Sequence, residues 1–275
     1  MAQVINTNVA SLNTQRALNG SLGDLNRALA RLSSGLRLNS AKDDAAGLAI
    51  SERFTAQIRG YNQAVRNASD AISLAQTAEG ALQEVTTALQ RIREIAVQSI
   101  NATNSAQDRV SLNQEVTQLQ AEITRVAGTK FNGAAVIGSG ATSYVFQVGP
   151  NAGDTVSVTT VNIMSTTTGY ISVVLSGTAS TVSGASALLA TVDVYLDSVN
   201  AARAELGAIQ NRFEAVVRNG LNVAENLSAS RSRIQDADFA LETARLTRAQ
   251  ILQQAGVAML SQANSQPQNV LSLIQ

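Results

Sequence analysis

The sequence predicts a mostly α chain: an elongated antiparallel helical hairpin, a coiled-coil bundle built from both chain ends, with a small β-hairpin region in the middle. Three observations predict it. Near the N-terminus Leu18, Leu22, Leu25, Leu29, Leu32 and Leu36 recur in alternating steps of four and three. That spacing lays one stripe along a helix and asks for partner helices. Near the C-terminus Ile234, Ala237, Leu241, Ala244, Ile251, Ala255 and Ala258 follow the same pattern, interrupted once by Arg248. Between them, residues 131–192 are rich in Thr, Ser, Gly and Val and carry Asp154 as their only charge.

Each element can be justified in chain order. The leucine ladder meets a break at Ser33, Ser34 and Gly35, then Asn39 and Ser40. A second helix starts at Asp43 or Asp44, whose carboxylates suit a helix N-terminus. Its stripe runs through Ile58, Tyr61, Val65, Ala68, Ile72, Ala75, Leu82, Leu89 and Ala96, with Glu79 and Thr86 at two positions where apolar residues belong. Residues 101–105 read as a turn. A third helix follows with Leu112, Val116, Leu119, Ile123 and Val126, and Gly128 stops it. Phe131, Asn132 and Gly133 mark a turn.

The periodicity then changes over about 134–186. Residues 144–148 (YVFQV) read as a strand, 149–154 as a turn, and 155–161 as a second strand offering Val156, Val158 and Val161 to one layer. Residues 171–175 are a further candidate strand. From about 188 the helix resumes, and Val192, Val199, Leu206, Ile209, Phe213, Val216, Val223, Leu227 and Ile234 share one heptad frame in which Gly220 and Ser230 are weak. The two prolines, Pro150 and Pro267, leave 1–149 and 151–266 open to continuous helix. A single helix over 192–258 would span about 100 Å. That length requires the two halves of the chain to lie side by side.

Composition narrows the function classes. Trp is absent, Phe and Tyr number five and four, and Ala, Leu, Ile and Val must therefore fill thin layers of closely packed helices. Formal net charge is zero, so nothing electrostatic favours nucleic acid. Cys and His are both absent, which removes disulfides and the usual zinc sites and leaves acid–base chemistry to carboxylates, Tyr and Lys. Lys42, Asp43 and Asp44, or Asp236 with Asp238, read as capping carboxylates rather than as a metal or acid–base site. The expectation is no catalytic residue, no metal and no cofactor. No segment reads as long enough to span a membrane, and the N-terminus, without a basic residue before Arg16, is unlike a secretory signal peptide.

The ends need partners. Burying six leucines falls well short of the backbone entropy lost when some forty residues become ordered. The sequence therefore predicts that 1–42 together with 234–275 form a terminal coiled-coil domain, mobile in the monomer and helical in an assembly. Residues 43–233 form a helical rod that includes the β element. The residues assigned to self-assembly are Leu18, Leu22, Leu25, Leu29, Leu32, Leu36, Ile234, Leu241, Ile251, Leu252, Ala255, Leu271 and Leu273.

Several motifs, in order along the chain, resemble bacterial flagellins. They are INTN at 5–8, RLSSGLR at 31–37, SAKDDAAGLAI at 40–50, IQDADF at 234–239, RAQILQQAG at 248–256 and QNVLSLI at 268–274. Similarity covers about 1–137 and 190–275; the middle is family-like only through FQVG at 146–149. The resemblance implies a structural subunit that self-polymerises into the flagellar filament, the propeller of swimming bacteria. The terminal helices would form an inner tube, the next helices and a β-hairpin an outer one. With so short a middle, no extra outer domains are expected.

The resemblance further implies an extracellular protein exported without a cleaved signal peptide, through the flagellar type III apparatus. Its implied partners are copies of itself, the flagellar cap and hook-junction proteins, and an export chaperone on the C-terminal helical segment. No nucleic acid and no membrane partner is implied. The segment QRIREIAV at 90–97, with Glu115, resembles the patch by which some flagellins engage a vertebrate innate receptor; Arg91 and Glu115 match it, and Ile95 stands where leucine is usual. The rival within the same resemblance is a hook–filament junction or other flagellar axial protein.

Overall fold

The computed structural model describes residues 7–140, 142–160, 162–163 and 174–271. Its long helices are α1 (Val9–Ser34), α2 (Ala45–Ile100), α3 (Ala106–Ala127), α4 (Val182–Gln235) and α5 (Phe239–Leu271). Between α3 and α4 lie two antiparallel two-stranded ribbons, β1 (Lys130–Phe131) with β2 (Ala134–Ala135), and β3 (Ser143–Gln147) with β4 (Thr155–Thr159). The chain divides into two compact units, Gln57–Ala224 and Met1–Ala56 with Glu225–Gln275.

In the unit Gln57–Ala224, aliphatic stripes of α2, α3 and α4 meet in one core. Leu82, Leu89 and Ile92 from α2, Val116 and Ile123 from α3, and Leu188, Val192, Val199 and Phe213 from α4 are buried there. The two polar residues on the α2 seam are both satisfied. Thr86 donates its hydroxyl to the Leu82 carbonyl, and the Glu79 carboxylate accepts a hydrogen bond from Gln210. The β3–β4 ribbon lays Val156 and Val158 inward and presents Phe146 edge-on to Phe213, ring centroids 5.8 Å apart.

Several local expectations need correction. Val161 lies outside the described residues, and Thr160 ends the ribbon by donating to the Thr142 carbonyl at 2.7 Å. Of the candidate strand 171–175, residues 171–173 lie outside the described residues, and 174–176 form a helical turn. The buried Gln120 amide holds that turn through the carbonyls of Val174 and Gly177, a side-chain clamp that β-propensity does not register. The helix expected from about 188 begins at Val182, because the Thr181 hydroxyl accepts the Gly184 N–H and caps it. A small ribbon, β1–β2, closes across Asn132 and Gly133, both at positive φ. Contrary to the expectation from uninterrupted apolar runs, α4 contains an 18-residue window of mean hydropathy 1.2, long and apolar enough to cross a membrane by length and composition alone. Its Ala- and Val-rich composition produces that value; the same helix supplies Ala185, Leu188, Val192 and Val199 to the core.

The unit formed by the chain ends is an antiparallel pair of helices, α1 against α5. The chain breaks beside it are built in register. Gly35 ends α1 in the left-handed region, φ 71°, with its N–H on the Arg31 carbonyl. Leu36 bridges Asp236, Ala237 N–H donates to the Gly35 carbonyl, and the Arg37 guanidinium donates to the Ile234 carbonyl at 2.6 Å. Asp238 then caps α5 by accepting the N–H groups of Ala240 and Leu241. The single helix expected over 192–258 is therefore two helices. A heptad pattern reads straight through 236–238, whereas the Asp238 side chain and the backbone of Gly35 and Leu36 claim that segment.

Pro267 does not end the last helix, which runs on to Leu271. A proline leaves the carbonyl four residues earlier without its helical donor. That carbonyl belongs to Ala263, and the Asn8 side-chain amide donates to it at 2.8 Å.

Candidate functional site

The surface of interest is the α1–α5 pair, and its two faces have different chemistry. Along α5 the residues turned toward α1 are Glu242, Leu246, Ala249, Gln253, Gly256, Leu260 and Ala263, all buried or half-buried and spaced alternately by four and three. Small and polar groups dominate this seam, so the two backbones approach closely. At Gly256 a side chain would begin only 3.2 Å from Leu18 Cδ1. On α1 the matching positions are Ser11, Thr14, Leu18, Ser21, Leu25, Ala28 and Leu32. Ser11 donates its hydroxyl to the Asn264 side-chain oxygen at 2.8 Å.

The expected assembly residues divide accordingly. Leu18, Leu25 and Leu32 lie half-buried in the seam; Leu22, Leu36 and Ile234 are half-buried as well. Leu29 is 47% exposed. On α5 the stripe Leu241, Ala244, Ile251, Ala255 and Ala258 is exposed, with Leu252 beside it; Ala255 and Leu252 border a cleft shared with Leu18 and Ser21 of α1. Leu241, Ile251 and Leu252 are 50%, 60% and 52% exposed. The residues most buried against α1 sit on the neighbouring face of α5. Leu271 is the last residue of α5, and Leu273 lies outside the described residues. Val9, Leu12, Phe239, Val257 and Met259 join the exposed apolar set. A leucine-counting search misses them because they fall between the heptad positions.

One charged cluster interrupts the seam. Glu242 is 3% exposed and accepts from two guanidinium groups, Arg31 at 3.1 Å and Arg245 at 2.7 Å. Sharing one desolvated carboxylate between two arginines fixes the rotational register of the pair. Apolar periodicity carries no signal for Glu242, so the sequence analysis did not single it out. Of the carboxylates that read as capping groups, Asp43, Asp44 and Asp238 each accept backbone N–H groups, and Asp236 caps nothing among the described residues. Asp43 accepts the N–H groups of Asn39 and Ser40, chiefly the former, which holds its pKa below the usual carboxylate value; Asp44 accepts those of Ala46 and Gly47.

The second candidate surface belongs to the unit Gln57–Ala224. Arg91 donates Nε to Glu115 at 2.8 Å and pairs with Glu94 at 3.0 Å, raising the guanidinium pKa, with Glu115 the larger influence. All three side chains are exposed. Ile95 is not: it is fully buried in the core, so it supports this surface from beneath and offers nothing to a partner. Three residues after Ile92 and four before the buried Ser99, it continues the buried seam of α2.

Comparison with known proteins agrees with this architecture. The model of the bacterial flagellin N-terminal helical region matches residues 5–140, and that of the bacterial flagellin C-terminal helical region matches residues 189–274. A flagellin of Halalkalibacterium halodurans is 45% identical over 274 residues, spanning 98% of this chain and 99% of its own. A flagellin of Xenorhabdus nematophila is 45% identical over 312 aligned positions that span both chains entirely. The crystal structure of Bacillus cereus flagellin superposes with a TM-score of 0.51 at 31% identity, over 56% of this chain and 88% of that one.

Proposed function

This chain belongs to the bacterial flagellin family and is a subunit of the extracellular flagellar filament, and from that premise we propose how its ends perform the assembly. The family is structural, and its members polymerise with copies of themselves. One observation carries the reading: α1 and α5 bury small and polar residues against each other and leave large apolar ones, Leu12, Leu29, Leu241, Ile251, Leu252 and Met259, uncovered. A monomer gains little by that choice. A polymer gains an apolar lining between neighbouring copies.

In this reading residues 1–42 and 234–275 act as the assembly domain and 43–233 as the rod. The self-assembly residues are Leu18, Leu22, Leu25, Leu29, Leu32, Leu36, Ile234, Leu241, Ile251, Leu252, Ala255, Leu271 and Leu273. The ends order fully only when copies pack, and a weakly ordered end is easily threaded through an export channel without a cleaved signal. An export chaperone would take the exposed stripe of α5 before assembly, and the cap and hook-junction proteins would meet the same helices at the two filament ends. The chain has no catalytic role. An innate-receptor contact rests on Arg91 and Glu115, since these are exposed and preorganised by their ion pair.

The test is seeded elongation. Purified chain added to sheared filament seeds lengthens them under electron microscopy; failure at every salt concentration would count against the filament reading. A junction protein would be a trace component of sheared flagella, whereas this subunit dominates them.

A further inference from the structure

The composition leaves a mild oxidant few targets. Cys, His and Trp are absent, so the thioethers of three methionines hold all the sulfur in the chain. With no thiol in competition, a hydroperoxide acts on methionine. Met1 and Met164 lie outside the described residues. Met259 stands in α5 and is 62% exposed.

Its place decides what oxidation does. Met259 follows Ala255 by four residues and Leu252 by seven, so the three share one side of α5. Together with Gly256 and with Ala17 and Leu18 of α1 they form the apolar lining of a cleft of about 400 Å³ between the two helices. Leu252 and Val257 are also more than half exposed. This is the apolar surface that the filament reading covers with a second copy. An unbranched thioether suits such a contact, because it adapts its shape and carries little polarity. The sulfoxide does not. One oxygen passes from hydrogen peroxide to Met259 Sδ; the O–O bond breaks as the S–O bond forms, the sulfur loses two electrons, and the peroxide is reduced to water. The new oxygen is a strong hydrogen-bond acceptor, and closing an apolar contact over it is unfavourable.

We propose that Met259 is a redox-sensitive modification site: oxidation of its sulfur by a hydroperoxide in uncovered copies blocks their addition to the filament, and incorporation shields the same sulfur. This rests on the filament reading and adds a means of regulating growth. Copies not yet incorporated, and those at a filament end, are open to the oxidant. Oxidation therefore stops elongation and leaves existing filament intact. The two stereospecific methionine sulfoxide reductases reverse it.

The test treats dilute wild-type chain and Met259→Leu with hydrogen peroxide and confirms the added oxygen at residue 259 of wild type by peptide mass spectrometry. Sedimentation then gives the critical concentration for elongation from untreated seeds. Oxidation raises that of wild type about tenfold, and the two reductases together restore it. Treated Met259→Leu, which keeps the apolar volume, stays within about twofold of its untreated value. Met259→Gln, polar and of similar length, shows the wild-type rise without oxidant, which keeps the test in force should Met259→Leu elongate poorly. In preformed filaments Met259 oxidises several-fold more slowly than in monomer. Oxidised wild type or untreated Met259→Gln that elongates normally overturns the proposal and leaves filament formation untouched. So does a loss of elongation in treated Met259→Leu, or equal oxidation of Met259 in monomer and filament. Untreated wild-type chain that does not elongate counts against the filament reading instead.

Discussion

Asn8 performs two tasks with one amide, and that makes it the sharpest point at which to perturb the helix pair. Its oxygen caps α1 by accepting the Ser11 N–H at 3.0 Å, and its nitrogen donates to the Ala263 carbonyl that Pro267 leaves open. Asn8→Ser keeps an acceptor for the cap and removes the donor, which strands a partly buried carbonyl and costs about 1–2 kcal/mol. Asn8→Ala removes both and costs about 2–3 kcal/mol, since a helix cap contributes about 1 kcal/mol. Pro267→Ala supplies the Ala263 carbonyl with an ordinary helical N–H. In that background Asn8→Ser therefore loses most of its effect, a coupling of about 1 kcal/mol. Hydrogen exchange of the first turns of α1, measured in filaments assembled from each variant, reads the difference as about a tenfold change in protection per 1.4 kcal/mol. An Asn8→Ser penalty equal in the two backgrounds would refute the division of labour between Asn8 and Pro267.

Three other outcomes follow from the same structure. Glu242→Ala leaves the half-buried Arg31 guanidinium unpaired, and lowers the stability of the helix pair by about 2–4 kcal/mol, seen as an earlier melt of assembled filaments; an unchanged melt would rule out the shared ion pair. Ile251→Asn, on the exposed face of α5, slows seeded elongation while leaving the monomer's circular dichroism unchanged, and normal elongation would show that this face stays uncovered. The third concerns the capping box of α3, in which the Ser105 hydroxyl and N–H both bond the Asp108 carboxylate and lower its pKa, the hydroxyl most. A carboxylate whose folded pKa is depressed contributes fully above its unfolded value of about 3.9 and loses that contribution as pH falls through the folded value. In Ser105→Ala the Asp108 titration, followed by NMR, moves up toward the ordinary value and α3 loses less stability on acidification; an unmoved titration contradicts the assignment.

The fold class was legible because alternating steps of three and four along α2, α3 and α4 coincide with the faces that are buried. Gly35, Asp44 and Gly128 punctuate the helices where turn chemistry placed them. The misses share a cause: groups far apart in the chain decided them. Asp236 and Asp238 break a helix that its own heptads would continue, because Leu36 and Gly35 pair with that backbone. Gln120 turns 174–176 into a helical turn from across α3. At the assembly surface the leucines were visible and the seam was not, since Glu242, Gln253 and Gly256 carry no apolar signal and interrupt Leu246, Ala249, Leu260 and Ala263. Ile95 shows the converse, a residue matched by motif and then found in the core.

The central claim is that the apolar residues left uncovered on the α1–α5 pair are covered by other copies of this chain. Hydroxyl-radical footprinting of Leu12, Leu29, Leu241, Ile251, Leu252 and Met259, in dilute monomer and in seeded filaments of the same preparation, tests it most directly. Their summed labelling falls several-fold on polymerisation, while that of Val145 on the β3–β4 ribbon, 66% exposed, serves as the reference. Equal labelling of the terminal residues in the two states would contradict the account.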